Sequence, residues 1–220
     1  MKKIVTLSMR EQMYEALKDL ILTNTYKPTT VLQIDRLADE FGVSATPVRE
    51  ALVRLESDGL VNLIPNKGAQ VTDIHEDDIR NTWEMRRLLE LYAARTSIGC
   101  IKDVELAELE VELIHVRDDP FDNNRYIASD MHLHETLFVH LGNEILKDSI
   151  RRVHQMSLRI RYFAEQSVAT HDSAVHEVIQ EHLAILEALR SRDIARIEAV
   201  LYKHLQNGET RTLRALGMVH

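Results

Sequence analysis

One carboxylate and three imidazoles fall on faces of predicted helices that otherwise carry apolar residues. Asp130 and His134 are four residues apart and so lie one helical turn from each other. The stripe they share consists of Ile127, Asp130, Met131, His134, Leu137, Phe138 and Leu141. His182 and His204 occupy the apolar registers of two later helices. Four polar side chains are therefore expected to point into one helical core.

Burying such groups without partners costs on the order of a few kcal/mol each. One divalent ion shared by Asp130, His134, His182 and His204 would satisfy all four side chains. Three nitrogens and one oxygen suit zinc first, with nickel and manganese as alternatives, and leave coordination positions open. The sequence therefore predicts a transition-metal site.

A second group of residues has the chemistry needed to read DNA. Ser44 and Thr46 place short hydroxyl side chains at a helix start, where they can approach phosphates. Arg49 follows one turn later, and its guanidinium can donate two hydrogen bonds to guanine in the major groove. This pattern predicts a recognition helix.

The elements around Arg49 form a winged helix-turn-helix pattern. Helices are expected over residues 9 to 24, 33 to 40 and 45 to 59, with Ser44 as the cap of the third, followed by β-prone runs at 60 to 64 and 69 to 72. The turn between these runs contains Pro65, Asn66, Lys67 and Gly68, which indicates a two-stranded hairpin.

The metal-site candidates all lie in the rest of the chain, where the pattern is helical. Only 7 Gly and 4 Pro occur in 220 residues, too few for a fold of many strands and turns. Six helices are expected, over residues 77 to 98, 104 to 117, 123 to 141, 144 to 166, 173 to 190 and 194 to 216. The expected architecture is mainly α, with a winged helix-turn-helix domain at 1–75 and an all-α six-helix bundle at 76–220.

Charge and composition exclude several classes of protein. The net charge of −8 divides into −1 for residues 1–75 and −7 for the remainder, so neither part is a polybasic nucleic-acid surface. No apolar stretch is long enough to cross a bilayer or to form a secretory signal. The single cysteine, Cys100, suits a reducing compartment, and a cytoplasmic location is expected.

The segment LADEFGVSATPVREAL at 37–52, with LESDGLV at 55–61 and Asn66-Lys67-Gly68, resembles the GntR family of bacterial transcription regulators over nearly all of residues 8–74. The resemblance implies that Ser44, Thr46 and Arg49 contact DNA from the recognition helix, and that the 66–68 tripeptide is the tip of the wing. Ala45 stands where the family often has arginine, which removes one possible base contact.

The spacing of the metal-site candidates resembles the metal-binding FCD effector domain found in the FadR subfamily of GntR regulators. Asp130 and His134 are followed after 48 residues by His182 and after 22 more by His204. Six helices match the shorter branch of that subfamily. The segment RRLLE at 86–90 resembles a family motif whose arginine lines the effector cavity, which makes Arg86 a candidate for holding a ligand carboxylate. The alternative is an arginine at the surface or paired with a glutamate.

The leading hypothesis is a ligand-responsive transcription regulator that is not an enzyme. It would bind a pseudo-palindromic operator as a homodimer, and respond to a small carboxylate metabolite at a metal centre. A metal-dependent hydrolase is the competing hypothesis, although the sequence offers no H-E-x-x-H motif or Ser-His-Asp set. A third alternative is a constitutive DNA-binding protein with a purely structural metal.

Overall fold

A computed structural model describes residues 7–165 and 171–218, and these residues form nine helices and three strands. They divide into two compact units, one of Met1–His75 with Leu158–Phe163 and the other of Glu76–Ser157 with Ala164–His220. Three expectations lie outside the described residues: the predicted helix end at residue 166, most of the break between that helix and the one predicted at 173–190, and the outer limits of both predicted domains. None of the described helices is long and apolar enough to span a bilayer.

The first unit has the expected three helices, and their ends follow from local chemistry. Its elements are α1 (Met9–Leu22), β1 (Val31–Gln33), α2 (Ile34–Phe41), α3 (Ala45–Ser57), β2 (Val61–Ile64) and β3 (Gly68–Val71). Ser8 and Glu11 cap each other's backbone at the start of α1 in a capping box. Gly42 ends α2 in the left-handed conformation, at φ 64°. Both α1 and α2 pack against α3, so α3 is held by its buried side while its other side remains exposed.

The sheet contains one strand more than the sequence predicts. Val31–Gln33 pairs antiparallel with β3, which gives the order β1-β3-β2 and makes β3 the central strand. Three residues between a turn and a helix are too short for alternation of apolar side chains to reveal a strand. Gly68, at φ 141°, lies so close to β1 that a Cβ atom there would be 1.9 Å from the carbonyl oxygen of Leu32.

The second unit contains the six expected helices, except that residues 158–163, within the fourth of them, belong to the first unit. They are α4 (Glu76–Ser97), α5 (Asp103–Asp118), α6 (Asn123–Thr136), α7 (Glu144–Glu165), α8 (His171–Ser191) and α9 (Ile194–Ala215). Helix α9 packs on α4 and α8, and α5 packs on α6 and α8. The mainly α fold predicted from the sequence is confirmed.

Helix α6 differs from the prediction in its length and in one buried residue. It ends at Thr136 instead of residue 141, because the amides of Leu137 and Phe138 bond to carbonyls three residues back and tighten the chain into turns. Met131, predicted inside the apolar stripe, is 46% exposed, and Leu133 is buried instead. The buried face is therefore shifted relative to the predicted stripe, but Asp130 and His134 remain on it.

Gly68 and Gly42 provide a matched pair of substitutions for testing how the wing is built. Gly68→Ala combines an unfavourable φ with a clash against backbone, whereas Gly42→Ala has only the unfavourable φ, since no atom lies within 4 Å of its added Cβ. We expect Gly42→Ala to cost about 1–2 kcal/mol of stability and Gly68→Ala at least about 1–3 kcal/mol more. Amide hydrogen exchange of the β-strand peptides measures the difference, and equal protection in both variants would contradict the described packing.

Candidate functional site

The start of α3 presents hydroxyl and amide donors on an exposed surface. Ser44 is the N-cap residue, but its side chain makes no capping hydrogen bond. A cap accepts from the second or third helical N–H, and Pro47 at the third position has none. Ser44, Thr46 and Arg49 are all exposed, and no acidic residue lies in the first turn. This helix end can therefore accept an anion.

The wing residues divide into an exposed tip and a buried base. Asn66 adopts the left-handed conformation at φ 61°, and Lys67 beside it is exposed. The Lys67 amide closes the turn on the carbonyl of Ile64. Gly68 is buried against β1, so in this structure it shapes the turn and offers no exposed surface of its own.

Three of the four predicted metal ligands lie together in the core of the helical unit. One nitrogen from each of His134, His182 and His204, on α6, α8 and α9, lies within 4.8 Å of the others, and all three side chains are buried. The Nε2 atoms of His134 and His204 are 3.3 Å apart. Asp130, also buried, lies beside this group, with its Oδ1 atom 3.4 Å from Nε2 of His182.

Two of the three clustered histidines each have a glutamate behind the ring. Oε2 of Glu90 is 2.6 Å from Nδ1 of His134, and Oε2 of Glu181 is 2.8 Å from Nδ1 of His204. Glu181 also accepts two hydrogen bonds from Arg211, which fixes it against α9. The sequence analysis gave neither glutamate a role. Glu90 lies one helical turn after Arg86 on an inward face of α4. That spacing was the one feature of the sequence that could have indicated a buried Arg86–Glu90 pair.

Glu90 is the centre of a buried polar network. Its Oε1 atom accepts from Nε of Arg86 at 2.7 Å and is 2.9 Å from Nε2 of His154. Arg86 is itself buried, and its Nη1 atom donates to the hydroxyl of Ser157 at 3.1 Å. The guanidinium proposed to hold an effector carboxylate is therefore already paired with a carboxylate. His154 also belongs to this network, although the sequence analysis gave it no role.

The charges of the network follow from burial and pairing. Burial would raise the pKa of the Glu90 carboxyl, but Arg86, His134 and His154 together hold it well below its ordinary value. Burial lowers the pKa of His134, and it lowers the pKa of His204 to about 4. Near neutral pH, Glu90 is thus ionised and both imidazoles are neutral.

A cavity of about 930 Å³ opens between α8 and α9 beside the histidine cluster. His204 and Glu181 line it, together with the amine-bearing Lys203. One of the three clustered imidazoles therefore also borders open space.

Comparison with known proteins identifies the family. Residues 81–207 match the FCD domain family, and residues 9–71 match the gntR family of bacterial regulatory proteins. A winged helix-turn-helix unit followed by a helical effector unit defines a DNA-binding transcription regulator. The chain belongs to the GntR family and carries an FCD domain. Its families and relatives are transcription regulators, not enzymes, which excludes the hydrolase alternative.

Similar proteins extend over most of the chain. The transcriptional repressor RspR of Escherichia coli K12 is 27% identical over 205 residues, covering 91% of this chain and 87% of that protein. The structure of McbR/YncC from E. coli has a TM-score of 0.80 at 22% identity, covering 95% of this chain and 99% of that one. The structure of a metal-free FCD domain has a TM-score of 0.56 at 24% identity, covering 67% and 99%. Each structural match shows a shared fold over the part of this chain that it covers.

Two arginine–glutamate pairs on α4 test the energetic weight of the buried network. Arg86→Met leaves the Glu90 charge buried without its cation, and we expect it to cost about 3–5 kcal/mol. Arg80 also pairs with a glutamate one turn away, Glu76, but both side chains are over 40% exposed. Arg80→Met should therefore cost less than about 1 kcal/mol.

Urea unfolding followed by tryptophan fluorescence measures both variants, because the one tryptophan, Trp83, is buried in α4. Similar midpoints for the two variants would contradict a buried, charged Arg86–Glu90 pair.

Proposed function

We propose that this chain is a ligand-responsive regulator whose two domains, 1–75 and 76–220, divide the work. The first contacts DNA through the exposed start of α3 and the wing. The second holds a divalent transition ion and a small carboxylate effector, and it forms the homodimer. Because a transcription regulator acts at the chromosome, we place it in the cytoplasm.

The orientation of α3 supports the roles proposed for its polar residues. With no N–H on Pro47 to satisfy, the Ser44 hydroxyl is available to a phosphate, and the positive end of the helix dipole favours that anion. Thr46 and Arg49 are three residues apart and share the exposed face. This arrangement suits phosphate contact at the helix start and base contact by the arginine. Lys67 and Asn66 at the wing tip would contact the neighbouring backbone.

The contact between His134 and His204 carries the metal proposal. An ionised glutamate only accepts hydrogen bonds, so Glu90 and Glu181 require protons on the Nδ1 atoms they face. Neutral imidazoles then have lone pairs, without protons, on the two Nε2 atoms, which face each other at 3.3 Å. Such lone pairs repel unless a cation lies between them.

The same geometry fits a transition ion. Two nitrogens bound to zinc at about 2.0–2.1 Å and a tetrahedral angle are separated by about 3.3 Å. His182 supplies a third nitrogen, and Asp130 beside it supplies the oxygen. Zinc is the first choice, with nickel or manganese as alternatives. The bound ion would offer an effector oxygen a positive charge and an open coordination position.

Two cationic side chains near the cluster could interact with a carboxylate effector. Arg86 is within one network of His134, and Lys203 lines the cavity that His204 borders. Since Arg86 is paired with Glu90, an effector must share the guanidinium with that glutamate. The effector can change DNA binding only if the homodimer has two arrangements of its DNA-binding domains and the effector binds one of them more tightly than the other. A purely structural metal would leave DNA affinity unchanged on titration with carboxylates.

A homodimer follows from the weak charge of the DNA-binding part. A net charge of −1 over residues 1–75 gives one copy little attraction for DNA, and two copies double the contacts. Leu88 and Tyr92 on α4 are 62% and 57% exposed and lie one turn apart, so the helical unit has apolar surface available for a second copy. A two-fold dimer implies a pseudo-palindromic operator.

Light scattering should report a particle of about twice the 25.4 kDa chain mass.

Two single substitutions should separate base reading from phosphate contact. Arg49→Ala removes a bidentate base contact and should cost about 1–3 kcal/mol per half-site on operator DNA, with little change on unrelated DNA. Lys67→Ala should weaken binding to all sequences alike and reduce the salt dependence. Band-shift titrations at several salt concentrations, on an operator obtained by selection from random DNA, measure both. Unchanged operator affinity in Arg49→Ala would remove α3 from its proposed role.

Metal analysis of the purified protein tests the second domain. The wild type should bind one transition ion per chain, and His182→Ala should lose it because one of three clustered nitrogens is gone. His132→Ala is the matched control, since His132 lies on the same helix as His134 but is exposed and faces Glu112. DNA affinity without effector should be the same in both variants. A wild type that takes up no zinc, nickel or manganese would overturn the metal proposal.

A further inference from the structure

Glu90 touches both His134 and Arg86. Among the contacts described for residues 7–165 and 171–218, no other group near the histidine cluster does so. It is fully buried, and its two oxygens are divided between partners. Oε2 faces His134 alone, while Oε1 faces Arg86 and His154. One side chain thus contacts a proposed metal ligand and the proposed effector arginine.

We propose that Glu90 is a positioning residue that fixes the ring of His134 with Nε2 directed at the metal position. Glu90 thereby also connects His134 to Arg86 by hydrogen bonds. The proposal rests on the proposed metal site. The carboxylate accepts from Nδ1 of His134 at 2.6 Å, which determines which nitrogen carries the proton and which presents its lone pair. Arg86 holds Glu90 in turn, through an Nε contact of 2.7 Å.

The arrangement of Glu90 has a chemical reason beyond packing. A buried arginine needs one anionic partner, and a hydrogen bond to either oxygen would satisfy it. Here the Arg86 contact is confined to Oε1, which leaves the second oxygen for the imidazole. Glu181 supports His204 in the same way but is itself held by Arg211. Two of the three clustered imidazoles therefore have a carboxylate behind them, and each carboxylate has its own arginine.

The test compares Glu90→Gln with Glu112→Gln. Glu112 also contacts Nδ1 of a histidine, His132, at 2.9 Å, but both side chains are over 40% exposed and outside the cluster. A glutamine amide can donate to Nδ1 as well as accept from it, so it no longer imposes one tautomer on His134. We expect Glu90→Gln to weaken zinc binding by about 10–100-fold and Glu112→Gln to leave it unchanged. Titration against a competing chelator measures the affinity.

A second measurement requires no metal. Long-range ¹H–¹⁵N NMR spectra of the metal-free protein distinguish the two histidine tautomers, and His134→Gln assigns the signal. We expect a single Nδ1–H tautomer for His134 in the wild type and in Glu112→Gln, and a mixed or reversed tautomer in Glu90→Gln. If Glu90→Gln does not fold, as Trp83 fluorescence would show, Arg86→Gln/Glu90→Gln removes both charges of the pair and takes its place.

The outcomes separate this inference from the proposed function. A wild type that binds no zinc contradicts the metal site, while the tautomer of His134 still decides whether Glu90 positions the ring. A wild type that binds zinc, with a glutamine variant of equal affinity and unchanged tautomer, overturns the positioning role and leaves the metal site intact.

Discussion

The helical unit depends on one fully buried carboxylate. Glu90 would be too costly to ionise in an apolar core without partners, and Arg86, His134 and His154 supply them from three different helices. A buried carboxylate is stable only while its charged and hydrogen-bonding partners stay in contact with it. These helices therefore cannot shift independently without breaking a charged hydrogen bond. The network therefore fixes α4, α6 and α7 around the place where the histidines meet.

The histidine cluster shows how burial would prepare imidazoles to bind a metal ion. Burial lowers the pKa of His204 to about 4, so its imidazole is neutral and its lone pair is available across the physiological pH range. Glutamates behind two of the imidazoles then select the nitrogen that faces inward. A cluster of exposed histidines would lose its lone pairs to protons near pH 6.5 and would have no fixed ring orientation.

Patterns of residues along single helices could be predicted from the sequence, whereas relations between helices could not. The register of His134, His182 and His204 on apolar stripes correctly indicated their burial, because burial follows helical periodicity. Glu90 was not assigned a role because an isolated i, i+4 arginine–glutamate pair is usually a solvated surface pair, and only packing shows that it is buried. His154 was given no role because it shows no such apolar register. Strand β1 was missed because its three residues pair with a partner 35 or more positions away.

The central position of β3 has a consequence for the thermodynamics of DNA association. The wing strand that leads from Lys67 is bonded on both sides, and Gly68 presses directly on the backbone of β1. β1 in turn continues without a break into α2, which packs on α3. Lys67 at the wing tip and Arg49 on α3 are thus carried by elements that pack and hydrogen-bond with one another. If both side chains engage a duplex as proposed, little backbone conformational entropy would remain to be lost, so more of the contact energy would be retained as affinity.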